Sequence, residues 1–254
     1  MWDKTYMKNQ YIGDIGDYGK YGLLRFLRDQ GIIIGVNWYL TPKDGKTDGC
    51  HREYLQNEKM RVYDPELFDA LKEMTKPPVE QFAIEMVEQS GLLEGVSFYH
   101  RMMDFDNLPW RERSADREKW HREAVETLNH TELFFADPDN GMLDIKRQKK
   151  GAQKYILPDE IADCYNRGQQ VVYYQHRSRK PVKEWEKDKK QILKFLPEAK
   201  LLAVSFNRWS CRTYIFVLHE ECFDLYSMLI DRFLASDWGS IQVDGKPAFK
   251  KESI

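Results

Sequence analysis

Two carboxylates and an amide follow a short apolar run at Phe134-Phe135-Ala136-Asp137-Pro138-Asp139-Asn140-Gly141. Such oxygens can accept hydrogen bonds from an amine or ligate a hard cation. Turns favour Asp, Asn and Gly in any case, but this crowding against Pro138 exceeds what a turn requires. Asp137, Asp139 and Asn140, together with Asp14 from the N-terminal glycine-rich segment, are therefore expected to be catalytic. The segment Gly13-Asp14-Ile15-Gly16-Asp17-Tyr18-Gly19-Lys20-Tyr21-Gly22 adds further ionisable groups among glycines. From it Asp14, or Asp17, could join Asp137 and Asp139 as oxygen ligands for Mg²⁺ or Mn²⁺. Thr41, Asp44 and Gly45 form a third polar group after an apolar run, with a plain turn an equal alternative.

Cations follow the same pattern. Lys146, Arg147, Lys149, Lys150 and Lys154 come after Asp137–Gly141, and His176, Arg177, Arg179, Lys180 and Lys183 come after a later apolar run. A solvated helix start accounts better for either cluster alone, and Glu184, Glu186 and Asp188 dilute the second. If both share a rim, binding of RNA or DNA through phosphates becomes an even alternative, with Tyr174 and Trp185 offering stacking surfaces. His51, His100, His121, His130 and His219 have no mutual ligand spacing and read as structural or surface residues. Trp238-Gly239 reads as packing.

These groups need a frame that gathers them. Ile32–Leu40, Glu132–Ala136, Gln169–Tyr174, Lys200–Phe206 and Thr213–Leu218 are rich in β-branched and aromatic residues and read as strands. Helical spacing is expected over Pro65–Met74, Val79–Ser90, Leu157–Asn166, Lys183–Phe195 and Phe223–Ala235. Trp110–Asn129 is charged and is expected to lie as a helix largely on the surface. The glycine-rich segment reads as a loop opening a helix. Alternating helices and strands argue for a single α/β domain over 1–254, with the glycine-rich segment at 11–30 and a helical insertion around 60–130. A mostly parallel sheet with helices on both faces follows, closed by an antiparallel C-terminal edge hairpin around Asn207–Cys211. That architecture is a Rossmann-like three-layer sandwich, in which ligands bind beyond the carboxyl ends of the strands.

A net charge of -2 excludes a globally basic nucleic-acid coat, so any anion attraction must be local. Cys50, Cys164, Cys211 and Cys222 are widely spaced and read as reduced thiols. No secretion signal or membrane-length apolar run is legible, which favours a cytoplasmic protein, bacterial or phage in origin, with no membrane partner.

Gly13-x-x-x-Asp17-x-x-Lys20-Tyr21, then a strand, a loop with Gly45, and a strand ending in Asp137-Pro138 resembles the bacterial large-subunit ribosomal RNA adenine methyltransferases. The likeness covers most of the chain as an order of elements and only a few residues by identity. It implies a methyltransferase-like fold and S-adenosylmethionine as cofactor. Asp17 and Lys20 would border the cofactor site, with Thr41, Asp44 and Gly45 in its loop. Asp137-Pro138 would be the first half of an Asp-Pro-Pro-Tyr motif. In that chemistry the side chain and the Pro carbonyl accept hydrogen bonds from an exocyclic amine and aim its lone pair at the methyl donor. Asp139-Asn140 stands where the family has Pro-Tyr, and Thr41 where it has Asp.

Three functions follow as expectations. The first is methyl transfer to a nucleic-acid base or a derived activity. The second is a metal-dependent nuclease or phosphohydrolase, a defence-type effector among them, using Asp137 and Asp139. The third is an inactive binding module on the same scaffold.

Overall fold

The computed structural model describes residues 9, 11–42, 51–177 and 181–254. The glycine-rich segment is already helix, α1 (Ile15–Asp29), followed by β1 (Ile34–Asn37). Next come α2 (Pro65–Met74), α3 (Glu85–Glu88), β2 (Ser97–Tyr99), α4 (Trp110–Thr127) and β3 (Leu133–Ala136). Two short strands, β4 (Gly141–Met142) and β5 (Tyr155–Ile156), precede α5 (Pro158–Asn166), β6 (Gln170–His176) and α6 (Val182–Lys189). The hairpin β7 (Lys200–Arg208) and β8 (Ser210–Leu218) leads to α7 (Glu220–Ala235) and α8 (Asp237–Ser240). The chain closes with β9 (Gln242–Val243), β10 (Lys246–Pro247) and β11 (Phe249–Lys251).

The main sheet has seven strands in the order β11-β7-β8-β6-β3-β1-β2. β2, β1, β3 and β6 are mutually parallel, and β8 runs against both β6 and β7. β7 therefore shares the direction of β6, and the sheet is mostly parallel, as the alternation of elements implies. The hairpin is antiparallel as expected, although β11 adds one more antiparallel strand outside it.

Strand alternation divides the interior into two cores. Leu133 and Phe135 of β3 face a core with Leu23 and Leu24 of α1, Phe68 of α2 and Phe233 of α7. Phe134 and Ala136 face the other, with Trp120 and Ala124 of α4 and Ile161 of α5. This is the three-layer, Rossmann-like arrangement.

Tertiary packing moved several local readings. Gly16, Gly19 and Gly22 lie inside α1 instead of in a loop, and their spacing makes one bare stripe along it. A Cβ on Gly19 would come within 2.7 Å of the Phe206 ring, and Cβ atoms on Gly16 and Gly22 would collide with Arg212 and Trp238. The glycines let α1 sit directly on β7, β8 and α8, and Trp238 is indeed packing. Val79–Ser90 is not one helix: Phe82 and Ile84 turn into the core, and the Ile84 amide donates to Asn9 Oδ1 at 3.1 Å. α4 is less superficial than its charge suggests, because Arg117, Trp120 and Ala124 are buried. Within the span expected to be helical, β2 was not legible; its three residues are held by pairing with β1.

Candidate functional site at the sheet switch point

β1 hands the chain on to β2 on one side, and β3 hands it on to β6 on the other. The carboxyl ends of β1 and β3 therefore flank the point where the sheet reverses direction, the usual ligand crevice of open α/β sheets. Here the Asp137 amide donates to the Asn37 carbonyl at 3.0 Å, extending the β1–β3 ladder into the loops. The glycine stripe brings α1 to the same place. Lys20 Nζ reaches Asp17 Oδ1 at 2.7 Å and Asp137 Oδ2 at 2.9 Å, joining groups 117 residues apart. Its ammonium also lies 5.1 Å from the ring centroids of Tyr21 and Trp38, a cation–π arrangement.

Asp14 caps α1 by accepting from the Asp17 amide at 2.8 Å, and its second oxygen meets an Arg212 amino group at 3.2 Å. Asp17 also accepts from the Gly13 amide at 3.1 Å. The cluster thus sets Asp14, Asp17 and Asp137 against Lys20 and Arg212. Burial alone would lower the Lys20 pKa, but the Asp137 and Asp17 carboxylates hold it well above the ordinary lysine value. Burial raises Asp17, which the Lys20 charge only partly offsets, and Asp14 and Asp137 push it in the same direction as burial. Lys20 is therefore a permanent cation, and Asp17 is an acid held reluctant to ionise.

The loop leaving β1 carries strain. Tyr39 has φ +49°, a left-handed conformation that aromatic residues rarely adopt. It is held by its amide donating to Asn37 Oδ1 at 3.3 Å and by its hydroxyl donating to Glu160 Oε2, also at 3.3 Å. Asn37 is fully buried, and its Nδ2 donor has no partner among the described residues. Thr41 Oγ1 lies 3.5 Å from Asp139 Oδ2, so the loops after β1 and β3 meet.

Beyond β3 the chain folds onto β6. The His176 amide donates to the Asn140 carbonyl at 3.3 Å, and the Met142 amide donates to Gln175 Oε1 at 2.8 Å. Gly141 has φ +107°, and a Cβ there would strike the Gln175 amide group at 2.5 Å, so both conformation and space require glycine. Asn140, Tyr155, Gln175, His176, Asp188 and Gln191 help to line a cavity of about 270 Å³. Partial desolvation against the cavity wall and the Arg212 charge hold His176 below its ordinary pKa, although its outer edge is open to water.

Asp14, Asp17, Lys20, Thr41, Asp137, Asp139 and Asn140 thus come to one end of the sheet, as their sequence context implies. Asp44, Gly45, Arg179 and Lys180 lie outside the described residues. One oxygen of Asp14 meets Arg212, and one of Asp137 meets Lys20. Among the described residues no group of three or more His, Cys, Asp or Glu side chains is placed to hold a metal.

The expected nucleic-acid residues divide. Lys146, Lys149, Lys150 and His176 are exposed. Arg147 pairs with Asp159, and the Arg177 guanidinium lies 5.9 Å from the Trp185 ring centroid. Trp185 offers no stacking surface, because α6 buries it in full. Asn37, Trp38 and Arg212 belong to the site but carried no sequence signal: two read as strand interior, and Arg212 as part of a hairpin. Cys164, Cys211 and Cys222 are free thiols. Among the described residues no helix is long and apolar enough to cross a membrane. No family model matches the chain, and no curated protein matches it.

Proposed function

We propose that the chain is an S-adenosylmethionine-dependent enzyme that transfers a methyl group to an amine of a nucleic-acid base. One observation carries this reading: Asp17, Lys20 and Asp137 form a single buried cluster at the carboxyl ends of β1 and β3. That is where open α/β sheets take nucleoside-containing ligands. The donor set fits the cofactor. The Asn37 amide is a buried donor without a partner among the described residues, and the facing Thr41 and Asp139 side chains supply polar groups for a hydroxyl or an ammonium.

When bound, the cofactor supplies an electrophilic methyl group; the protein supplies position. Lys20 fixes the Asp137 carboxylate in one place. With Asp137 and the Pro138 carbonyl as acceptors, an exocyclic amine is oriented with its lone pair exposed, which requires no strong base. The cavity beside Asn140 and Gln175, at about 270 Å³, has the scale of one planar base. The side-chain amides of Asn140, Gln175 and Gln191 give it donors and acceptors of the kind a base edge pairs with. The engagement of Asp14 and Asp137 by Arg212 and Lys20 favours this reading over a Mg²⁺- or Mn²⁺-dependent hydrolase.

Calorimetric titration with S-adenosylmethionine tests the reading. The wild type is expected to bind in the micromolar range, and Asp17→Ala to bind about tenfold or more weakly, a loss of about 1.4 kcal/mol. No heat of binding in the wild type retires it.

A further inference from the structure

The hairpin between β7 and β8 turns on a single residue, Trp209, with Arg208 and Ser210 paired on either side of it. Trp209 has φ +59°, the left-handed region that disfavours a bulky side chain, and it is 63% exposed. Glycine or asparagine would satisfy that turn without strain. An indole held in an unfavourable backbone conformation and turned out to water is a feature that packing does not explain, and strain of this kind gathers at functional sites.

Its position is specific. Arg212 pairs with His176, the last residue of β6, so the hairpin tip projects beyond the carboxyl ends of the parallel strands. The Trp209 ring stacks on the His51 imidazole, with centroids 6.0 Å apart and planes inclined by 27°. His51 is anchored to the switch point, because its carbonyl accepts from the amide of Ile15 at 2.9 Å, beside the capping Asp14. Arg212, bonded to Asp14, keeps a second, buried amino group with no partner among the described residues, and Arg177 follows β6. Arg208, on one side of Trp209, is buried against the Val243 carbonyl and the Tyr63 hydroxyl, so the cation nearest the tip that borders the site is Arg212.

We infer that Trp209 and His51 form a stacking platform for an unpaired nucleobase of single-stranded nucleic acid, at the entrance to the switch-point site. A base has a π-face that stacks on indole whatever its identity, and cations alongside attract the adjoining phosphates. The platform supplies an aromatic surface that Asp139-Asn140 and the buried Trp185 do not. The inference rests on the reading of the switch-point cluster as acting on nucleic acid, and it narrows the substrate to a strand with an unpaired base.

Fluorescence anisotropy of labelled 12-nucleotide single strands, one of RNA and one of DNA, tests it on the whole chain. Wild type, Trp209→Phe and Trp209→Ala are compared at one low salt concentration. Stacking on an aromatic side chain is worth about 1–3 kcal/mol per base, so Trp209→Ala is expected to weaken binding of at least one strand about 5- to 150-fold. Trp209→Phe should stay within about threefold of wild type. Trp209→Gly, which suits the left-handed turn, should melt no lower than wild type yet bind as poorly as Trp209→Ala, separating platform from fold. Equal binding by wild type and Trp209→Ala overturns the inference, as does no wild-type binding to either strand. S-adenosylmethionine titration of Trp209→Ala keeps the two readings apart. Trp209-dependent binding of a strand without cofactor binding would remove the methyl-transfer reading and leave the platform standing.

Discussion

Two buried ionic clusters lie on opposite faces of the same sheet, and they are built to opposite rules. On the α4–α5 face, Arg117 meets Glu160 with Nε–Oε1 at 2.6 Å and a second bond to Oε2 at 2.8 Å. Its remaining amino protons reach the carbonyls of Ala152 and Tyr155 at 2.8 and 2.6 Å. Glu160 also accepts from the Leu157 amide at 3.0 Å. Burial alone would raise the Glu160 pKa, but the Arg117 charge and bonds bring it down to about 2. One cation answers one anion there, and the donors are satisfied.

On the α1 face, Lys20 answers two carboxylates and Arg212 a third. Asp17 is raised where Glu160 is lowered, although both are buried acids beside a buried cation. Burial is common to the two clusters; the number of charges each cation must serve is not. The first cluster clamps α4 to α5 and the β5 segment. The second leaves an acid unsettled at the mouth of the sheet, the condition under which ligand groups find partners. Tyr39 links the clamp to the site, with its hydroxyl on Glu160 and its amide on Asn37, whose carbonyl accepts from the Asp137 amide, so the clamp holds the strained loop in place.

The largest expected effect breaks the clamp. Arg117→Met leaves Glu160 buried without a cation and should lower stability by about 3–5 kcal/mol in urea unfolding at pH 7. A loss under about 1 kcal/mol would show that the two clusters do not differ in structural role.

Acid sharpens the contrast through sign. Glu160 is lowered in the folded chain, so its contribution is complete above its ordinary value of 4.5 and is lost as pH falls towards about 2. The shift corresponds to about 3 kcal/mol. The unfolding free energy of the wild type should therefore fall over that window, and Glu160→Gln should flatten the fall; an unchanged slope would contradict the assignment. Asp17 works with the other sign. It is raised, so its contribution is present below the ordinary carboxyl range and is lost as pH rises.

The smallest effect on stability is therefore expected at Asp17. Asp17→Asn removes a carboxylate that burial disfavours at neutral pH and should change unfolding free energy by less than about 1 kcal/mol. A loss comparable to that of Arg117→Met would make the α1 cluster a second clamp.

Much of this frame was legible along the chain. The β-branched runs marked β1, β3, β6, β7 and β8, since a strand buried on both faces must be apolar along its length. The Asp137–Asn140 segment stood out because its polar groups exceed what a turn needs, and Gly13–Gly22 because it holds four glycines among ionisable residues. The partners of those groups were not legible. Nothing in Gly16, Gly19 and Gly22 says that Arg212, Phe206 and Trp238 fill the space their missing Cβ atoms leave. Equally, no spacing links Arg117 with Glu160, or His51 with Trp209. Local periodicity and composition determine which segments become strands and which residues are available for chemistry, because those depend on neighbours within a few positions. Charge balance, burial and the pairing of residues up to 198 apart depend on which elements the sheet order makes adjacent. Only the tertiary structure decided that Lys20 stands between Asp17 and Asp137, and that Trp209 stacks on His51.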